Sequence, residues 1–490
     1  MDTLSRIYRE NLGLATDLYQ LTMSYGYWKT GAHTKRAVFN LFFRRNPFQG
    51  GYSISCGLTY VIDYLRHFQF DASDLDYLAG LTGNDDRPLF DAGFLEYLGE
   101  MEFSCDVDAI PEGTVVFPHE PLLRITGPIV QCQILETALL CVMNFQTLIA
   151  TKASRIAGAA GDDPVLEFGL RRAQGLDGAL SASWAAHIGG CSATSNVLAG
   201  KIFGIPVKGT HAHSWIMSFD EELEAFQRYA EAMSNNCVFL VDTYDTIEGV
   251  KKAIEVGEWL RVKGHKMVGI RLDSGDLAQL SIDARALLDA SGFDEAAIVA
   301  SNDLDERLLG ELKGKGGRVN VWGIGTKLVT ADGQPALGGV YKLSAVRSQA
   351  EDSWSYRVKL SEQTIKISNP GVQQVRRFCR DGKAIGDVIY DVDLGIADEA
   401  VSVDPADADT RRKLGADASH EDLLTPIFRD GRQVYEEPSV NDIRKRASDQ
   451  RSLFQPETLR FDDPSPYLVG LEENLFELKA RLIDEARAKK

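Results

Sequence analysis

Two histidines stand two residues apart in Val207–Phe219, VKGTHAHSWIMSF, directly after the short apolar run Ile202–Val207. The sequence holds eight histidines, and His211 and His213 are its only close pair. Alternate residues of an extended segment point the same way. On that reading the stretch aims two imidazoles, or one imidazole with the hydroxyl of Thr210 or Ser214, at one spot. A histidine so placed can act as a nucleophile, and two of them are half of a metal site. The plainer reading is a pair of hydrogen-bonded core or turn histidines.

Four further stretches carry groups suited to anions. EFGLRRAQG offers an aromatic face at Phe168 and guanidinium forks at Arg171 and Arg172, which grip carboxylate or phosphate at two points. GIRLDSGDL places Arg271, Asp273 and Asp276 around Gly275 just before a helix. Asp276 fits a helix cap, whereas Arg271 and Asp273 are candidates for chemistry, the carboxylates suiting Mg²⁺ or ribose hydroxyls. VWGIGTKL sets Gly323, Gly325 and Thr326 after a buried strand, where glycines let backbone amides approach a phosphate and Lys327 adds charge. LGGVYKL, through Gly338 and Gly339, reads as a second cradle. Each stretch has a bland alternative: a surface ion pair, a cap, an ordinary turn glycine. Together they describe a site for a phosphorylated sugar and a flat acid.

The elements that must position these groups form a repeating pattern. A long helix over Cys132–Ala157 leads into apolar runs at PVLEFGLRR, IPVKGTHAHS, 237–245, 267–275, 296–305, 319–329 and 338–346. Amphipathic helical segments separate several of them at a period of about 30 residues, which signals βα units and a parallel sheet. Six or seven such strands close naturally into a barrel, and the polar residues all fall at strand C-terminal ends, where barrel active sites lie. The predicted fold is thus α/β, an irregular parallel β/α barrel inserted in an α/β sandwich domain. The expected division is 1–131 for the first part of the sandwich, 132–346 for the barrel, and 347–490 for a segment completing the sandwich. Asp17–Thr30 reads as a helix ended by Gly31. Asp381–Gly382 and Asp430–Gly431 read as hairpin turns. Asp404–Asp422, acidic and alanine-rich, reads as a surface linker, and Pro466–Ala488 as a helix with a leucine stripe.

A chain of 490 residues implies two or three domains. Apolar and charged contents of 44% and 25% fit a globular protein. The net charge of −18 argues against nucleic acid and anionic membrane, leaving small anions to local clusters such as Arg44–Arg45. Met1–Arg9 lacks the layout of a secretory signal, and no stretch reads as a membrane span. Seven scattered cysteines without a CxxC pair fit a reducing, cytoplasmic setting.

The stretches DLYQLTMSYGYW, FNLFFRRNPFQGGY, EFGLRRAQG, SATSNVLAGKIFGIPVKGTHAHS, RLDSGDL and GIGTKL appear in one order between residue 17 and about 330. In this the sequence resembles the nicotinate phosphoribosyltransferase family of type II phosphoribosyltransferases; SNPGVQQVRRF extends the resemblance. The resemblance implies an ATP-coupled synthesis of nicotinate mononucleotide from nicotinate and phosphoribosyl pyrophosphate, with Mg²⁺, releasing pyrophosphate, ADP and phosphate on a salvage route to NAD. It implies a homodimer with shared active sites, phosphorylation of His213, and a pyridine ring held between Phe168 and the partner's Tyr19. Arg171, Arg271, Asp273, Gly323 and Gly325 match residues lining the base and phosphoribosyl sites. Relatives that use nicotinamide carry an aspartate near the base pocket; GGCSATSNV has no acidic residue, and Ser192, ahead of Cys191 or Thr194, is matched to that position. His211 receives no role.

Two rival readings remain at this stage. A metal-dependent barrel hydrolase using the HxH pair needs ligands at other strand ends, and His187 and His265 lie outside them. A catalytically silent binding barrel has no use for intact anion cradles.

Overall fold

The computed structural model describes residues 11–348, 352–363, 366–405, 407, 409–415 and 417–488. The Met1–Arg9 segment read above lies outside them. The chain divides into two compact units: Met1–Leu148 with Ala336–Ser439 and Lys445–Lys490, and Ile149–Pro335 with Val440–Arg444.

The Ile149–Pro335 unit holds six parallel strands in the spatial order Ala193–Thr194, Val165–Glu167, Val321–Ile324, Ala297–Ala300, Gly269–Leu272, Val238–Leu240. A parallel bridge from Thr194 to Val207 extends one end. Followed around, this is chain order on a circle, with one seam left open between Val207 and Val238–Leu240. The seam arises because the run after Pro206 contributes a single bridge and then turns away toward His213.

The strands are short and nearly wholly apolar. Ile270, Leu272, Ile298, Ala300, Trp322 and Ile324 are buried, as expected of strands covered on both faces. Each large aliphatic side chain so buried contributes about 1.5–3 kcal/mol. Three of the following helices open on an aspartate: Asp245 caps Thr246–Val262, Asp276 caps Leu277–Ala290 and Asp305 caps Glu306–Gly314. Each side chain accepts a backbone N–H of the first turn, which satisfies a donor the helix itself leaves open. The long helix Glu136–Ala160 carries Lys152 and Arg155, both paired with the buried Glu306 at 2.8 Å. Removing one partner of such a buried pair typically costs about 3–5 kcal/mol.

The other unit is built from both ends of the chain. Its seven-stranded sheet runs Ser355–Tyr356, Val340–Arg347, Arg36–Phe42, Leu123–Pro128, Asp106–Ala109, Thr425–Arg429, Arg432–Gln433, every pair antiparallel. A six-stranded mixed sheet includes the hairpin of Gln373–Arg380 with Lys383–Asp391. Asp381 and Gly382 have φ of 50° and 72°, the left-handed pair a two-residue turn demands, and Asp430–Gly431 repeat it at 47° and 73°. Both turns stand where the sequence placed them. The N-terminal helix Leu18–Lys29 likewise ends before Gly31 at φ 77°.

Several expectations are corrected. The 338–346 run is no barrel strand: Val340–Arg347 pairs antiparallel with Arg36–Phe42. An apolar run states that a strand is buried but does not name its partner. The two units meet in the chain at Leu148, inside the helix Glu136–Ala160, and at Pro335, where 131 and 346 were expected. Within Asp404–Asp422, Arg411–Leu414 and Ser419–Asp422 are edge strands. Their charge suits an edge, which must repel further pairing. The C-terminal stripe splits, Leu471 lying in the strand Val469–Glu472 and the helix beginning at Glu473.

Candidate active site

At the C-terminal ends of the parallel strands lies a cavity of about 320 Å³ lined by Phe168, Arg171, Ser195, Thr210, His213, Arg271 and Asp273 among others. A larger one, about 550 Å³, lies in the other unit beside Phe117, His119, Tyr467 and Lys479. It holds none of the groups expected to do chemistry; the smaller cavity holds six of them, Phe168, Arg171, Thr210, His213, Arg271 and Asp273.

Arg271, third residue of its strand, is the hub. Its Nε donates to Ser301 Oγ (2.8 Å), one terminal nitrogen to Thr210 Oγ1 (3.0 Å) and the other to Asp273 Oδ1 (2.8 Å). The guanidinium carbon lies 5.9 Å from the centroid of the Phe168 ring, within cation–π reach. Three strand ends are thereby tied together through one planar fork.

Asp273 also accepts a hydrogen bond from Ser301 Oγ. Burial pushes its carboxyl upward, but the Ser301 hydroxyl and the Arg271 charge outweigh that and hold it below the usual carboxylate range. Its Oδ2 lies 3.7 Å from His213 Nε2. His213 Nδ1 is 3.1 Å from Thr243 Oγ1, so the imidazole is held from both sides while the side chain keeps 40% of its exposure. An oriented, accessible imidazole backed by a carboxylate is the arrangement of an activated nucleophile or acid–base group.

Phe168 depends on a glycine. A Cβ at Gly323 would lie 2.8 Å from the ring, so only glycine lets the ring rest against that strand. The structure thus gives Gly323 a packing role beneath the aromatic face. The turn carrying Phe168 and Arg171 is anchored by Glu167, whose buried carboxylate accepts from Ser183 Oγ (2.9 Å), Thr194 Oγ1 (2.5 Å) and Gly169 N–H.

Other expected residues fall elsewhere. Ser192 donates through both its N–H (2.8 Å) and its Oγ (3.1 Å) to Val165 O, at the first residue of a strand and so at the end away from the cavity. Ser195, three residues on, lines the cavity instead. Ser214 is exposed on the short helix His213–Ile216. Gly325 and Thr326 open the helix Thr326–Val329, and Lys327 is committed to Asp305 at 2.8 Å. Tyr19, Gly338 and Gly339 belong to the other unit, where the Gly339 N–H donates to Asn144 Oδ1 (2.9 Å). Tyr19 is 49% exposed on its helix. His211 does not share a direction with His213: its ring is buried and packs edge-on to Tyr229 at 4.7 Å. The segment is not a regular strand, so the alternation rule does not apply.

Sequence reasoning gave no weight to Asp242, Thr243, Ser301, Glu167 or Ser195. Asp242 Oδ2 accepts from Asp273 N–H and Ser274 Oγ, both at 2.7 Å, while its buried Oδ1 has no protein partner. Its signal was available in VDTYD, a carboxylate directly after an apolar strand. Among the described residues, no cluster of three or more His, Cys, Asp or Glu side chains could hold a metal by itself, and no helix is long and apolar enough to cross a membrane.

Profiles of the nicotinate phosphoribosyltransferase (NAPRTase) N-terminal domain, family and C-terminal domain match residues 14–144, 164–356 and 372–479. The chain is similar to the nicotinate phosphoribosyltransferase of Bacillus subtilis (strain 168), 43% identical over 493 residues, covering 98% of this chain and 97% of that one. The Homo sapiens enzyme of the same name is 35% identical over 521 residues, with 94% and 95% covered. The crystal structure of human nicotinic acid phosphoribosyltransferase superposes with a TM-score of 0.84 at 33% identity, covering 95% and 99%.

Proposed function

The chain belongs to the nicotinate phosphoribosyltransferase family, and on that premise we propose that it joins nicotinate to phosphoribosyl pyrophosphate, coupled to ATP through a phosphohistidine at His213. The observation that supports this best is the convergence of Phe168, Arg171, Arg271, Asp273 and His213 on one cavity.

In this reading the pyridine nitrogen attacks the anomeric carbon as the bond to pyrophosphate breaks, giving nicotinate mononucleotide. Phe168 supplies the ring face that orients the base, and orientation accounts for much of the acceleration. Asp273 and Asp242 would be the residues to hold a Mg²⁺ ion, the unpartnered Asp242 Oδ1 suiting a cation, and the ion would supply positive charge against the departing pyrophosphate. For the coupling, a His213 nitrogen attacks the γ-phosphorus of ATP and ADP leaves; water later takes the phosphoryl group and releases phosphate. The seven cysteines, all unpaired, support a reducing compartment such as the cytoplasm. The decisive assay follows nucleotide formation from nicotinate with and without ATP; no formation in either case would sink the reading.

Homodimer formation with shared sites is supported by Leu18, Tyr19 and Met23, apolar residues 53%, 49% and 36% exposed on one helix. Mixed dimers of Tyr19→Ala and His213→Ala chains, each without ATP-stimulated synthesis, should regain about a quarter to a half of that activity, as restored-site counting requires. No recovery after verified subunit exchange contradicts sharing.

Base choice should follow the charge at Ser195. A carboxylate there would stand in the cavity where the base carboxylate is bound, costing about 1–4 kcal/mol or roughly a tenfold to several-hundredfold loss. Ser195→Asp should therefore lower kcat/KM for nicotinate by at least about tenfold, with nicotinamide use unchanged or raised. Equal kcat/KM for nicotinate in the variant and the parent would remove Ser195 from specificity.

A further inference from the structure

The seam between Val207 and Val238–Leu240 is crossed by a side chain. The Leu240 N–H, facing the open side of its strand, donates to His211 Nε2 at 3.3 Å. The opposite ring nitrogen, Nδ1, lies 3.4 Å from the carbonyl of Ala212, and the ring is enclosed by Tyr229, Phe226 and Phe239. His211 also fixes its neighbours through its own backbone: its carbonyl accepts from Thr210 Oγ1 (2.9 Å), the hydroxyl that receives Arg271.

We infer that His211 is a positioning residue: a neutral imidazole that replaces the missing strand pairing and sets the loop from which Thr210 and His213 reach the site. Three observations converge. A backbone amide donor requires an unprotonated Nε2, so the proton must sit on Nδ1, where the Ala212 carbonyl can receive it. An imidazolium could not accept from Leu240. Burial, with the nearby Arg271 charge, outweighs the Ala212 carbonyl and drives the ring toward neutrality, its pKa falling to about 4. Among the described residues the loop's other hydrogen bonds are the bridge at Val207, those of the Thr210 and His213 side chains, and the Trp215 indole N–H to Ala225 O (3.0 Å), so the Leu240 contact adds a fixed point between the bridge and His213. The two histidines of HxH thus divide the work: the His211 ring is committed to the seam although the residue borders the cavity, while the His213 ring stays accessible there. The loop role stands on the geometry, and its kinetic consequence rests on the proposed ATP coupling.

Two variants separate the ring from its acceptor. His211→Phe keeps an aromatic among Tyr229, Phe226 and Phe239 but leaves the Leu240 N–H unpaired. His211→Gln gives up the ring and keeps an acceptor, its side-chain carbonyl, near the Nε2 position. In ¹⁵N-labelled full-length protein near pH 7.5, His211 should show the Nδ1–H tautomer. In His211→Phe the Leu240 amide should exchange about tenfold or more faster, and the His213 ring resonances should move; His211→Gln should restore both. ATP-stimulated kcat should fall about 5- to 100-fold in the Phe variant, the span of one unpaired buried donor, with recovery in Gln. A protonated Nε2 in the parent, unmoved His213 resonances in the Phe variant, or equal exchange in Phe and Gln overturns the inference. Loss of ATP stimulation in the parent itself would instead count against the proposed coupling, and the tautomer and exchange results would still decide the role of His211.

Discussion

Replacing His213 by alanine should abolish ATP hydrolysis and the acid-labile phosphoenzyme while leaving slow, ATP-independent nucleotide synthesis. The imidazole is hydrogen-bonded to Thr243 Oγ1 and has Asp273 Oδ2 at 3.7 Å, and among the described residues the other histidine bordering the cavity, His211, is buried. Loss of a covalent nucleophile typically costs about three orders of magnitude or more. The groups proposed to meet base and ribose, Phe168 and Arg271 among them, do not depend on that imidazole, so phosphoribosyl transfer itself should persist in that reading. Radiolabelled γ-phosphate incorporation and nucleotide formation, measured side by side, separate the two activities. Full ATP-stimulated synthesis in the variant would show that His213 is not the phosphoryl carrier.

Arg271→Met should be nearly as damaging. The substitution keeps an unbranched apolar stem and loses the charge, all three hydrogen bonds and the cation at the Phe168 face. Removing one preorganised charge-stabilising group commonly costs about 10²–10³ in rate, and kcat/KM for nicotinate should fall by that order. Arg271→Lys should recover little, because a single ammonium cannot reach Ser301, Thr210 and Asp273 in the directions a planar guanidinium does. A fully active lysine variant would mean that charge alone is needed.

The same variant carries a pH signature. Asp273 has its folded carboxyl held below the unfolded value, so its stabilisation is complete above the unfolded pKa and is lost as pH falls through the folded one. Without Arg271 that folded value rises toward the unfolded one. The stability difference between the parent and Arg271→Met should accordingly be largest above the unfolded carboxyl pKa and shrink as pH falls through the folded one, and a pH series of thermal midpoints checks it.

The groups of the site were legible because their chemistry is carried by residue type and by position after a strand. Phe168, Arg171, Arg271, Asp273 and His213 each follow or end an apolar run, and a parallel sheet brings every such end to one side. The turn pairs Asp381–Gly382 and Asp430–Gly431 were legible for a local reason, since positive φ at both residues is a demand few residue types meet.

What failed were statements about direction and partner. Ser192 and Ser195 are equally plausible hydroxyls in GGCSATSNV, yet one bonds Val165 O at the strand's start and the other lines the cavity. His211 and His213 match one motif and face different surroundings. Val340–Arg347 reads like the barrel strands and pairs with Arg36–Phe42 instead.

By itself, then, the sequence determined the order of most of the parallel strands' apolar cores, the Asp276 cap, the tight turns and the inventory of reactive groups, all of which depend on neighbours within a few residues. Only the tertiary structure decided which strand ends meet, that the parallel sheet leaves a seam which His211 spans, that Gly323 serves the Phe168 ring, and that Arg271 joins three strands. Those outcomes rest on contacts between residues roughly 30 to 150 positions apart, such as Thr210 with Arg271 or Phe168 with Gly323, where closure entropy and packing select one pairing among several that local pattern permits equally.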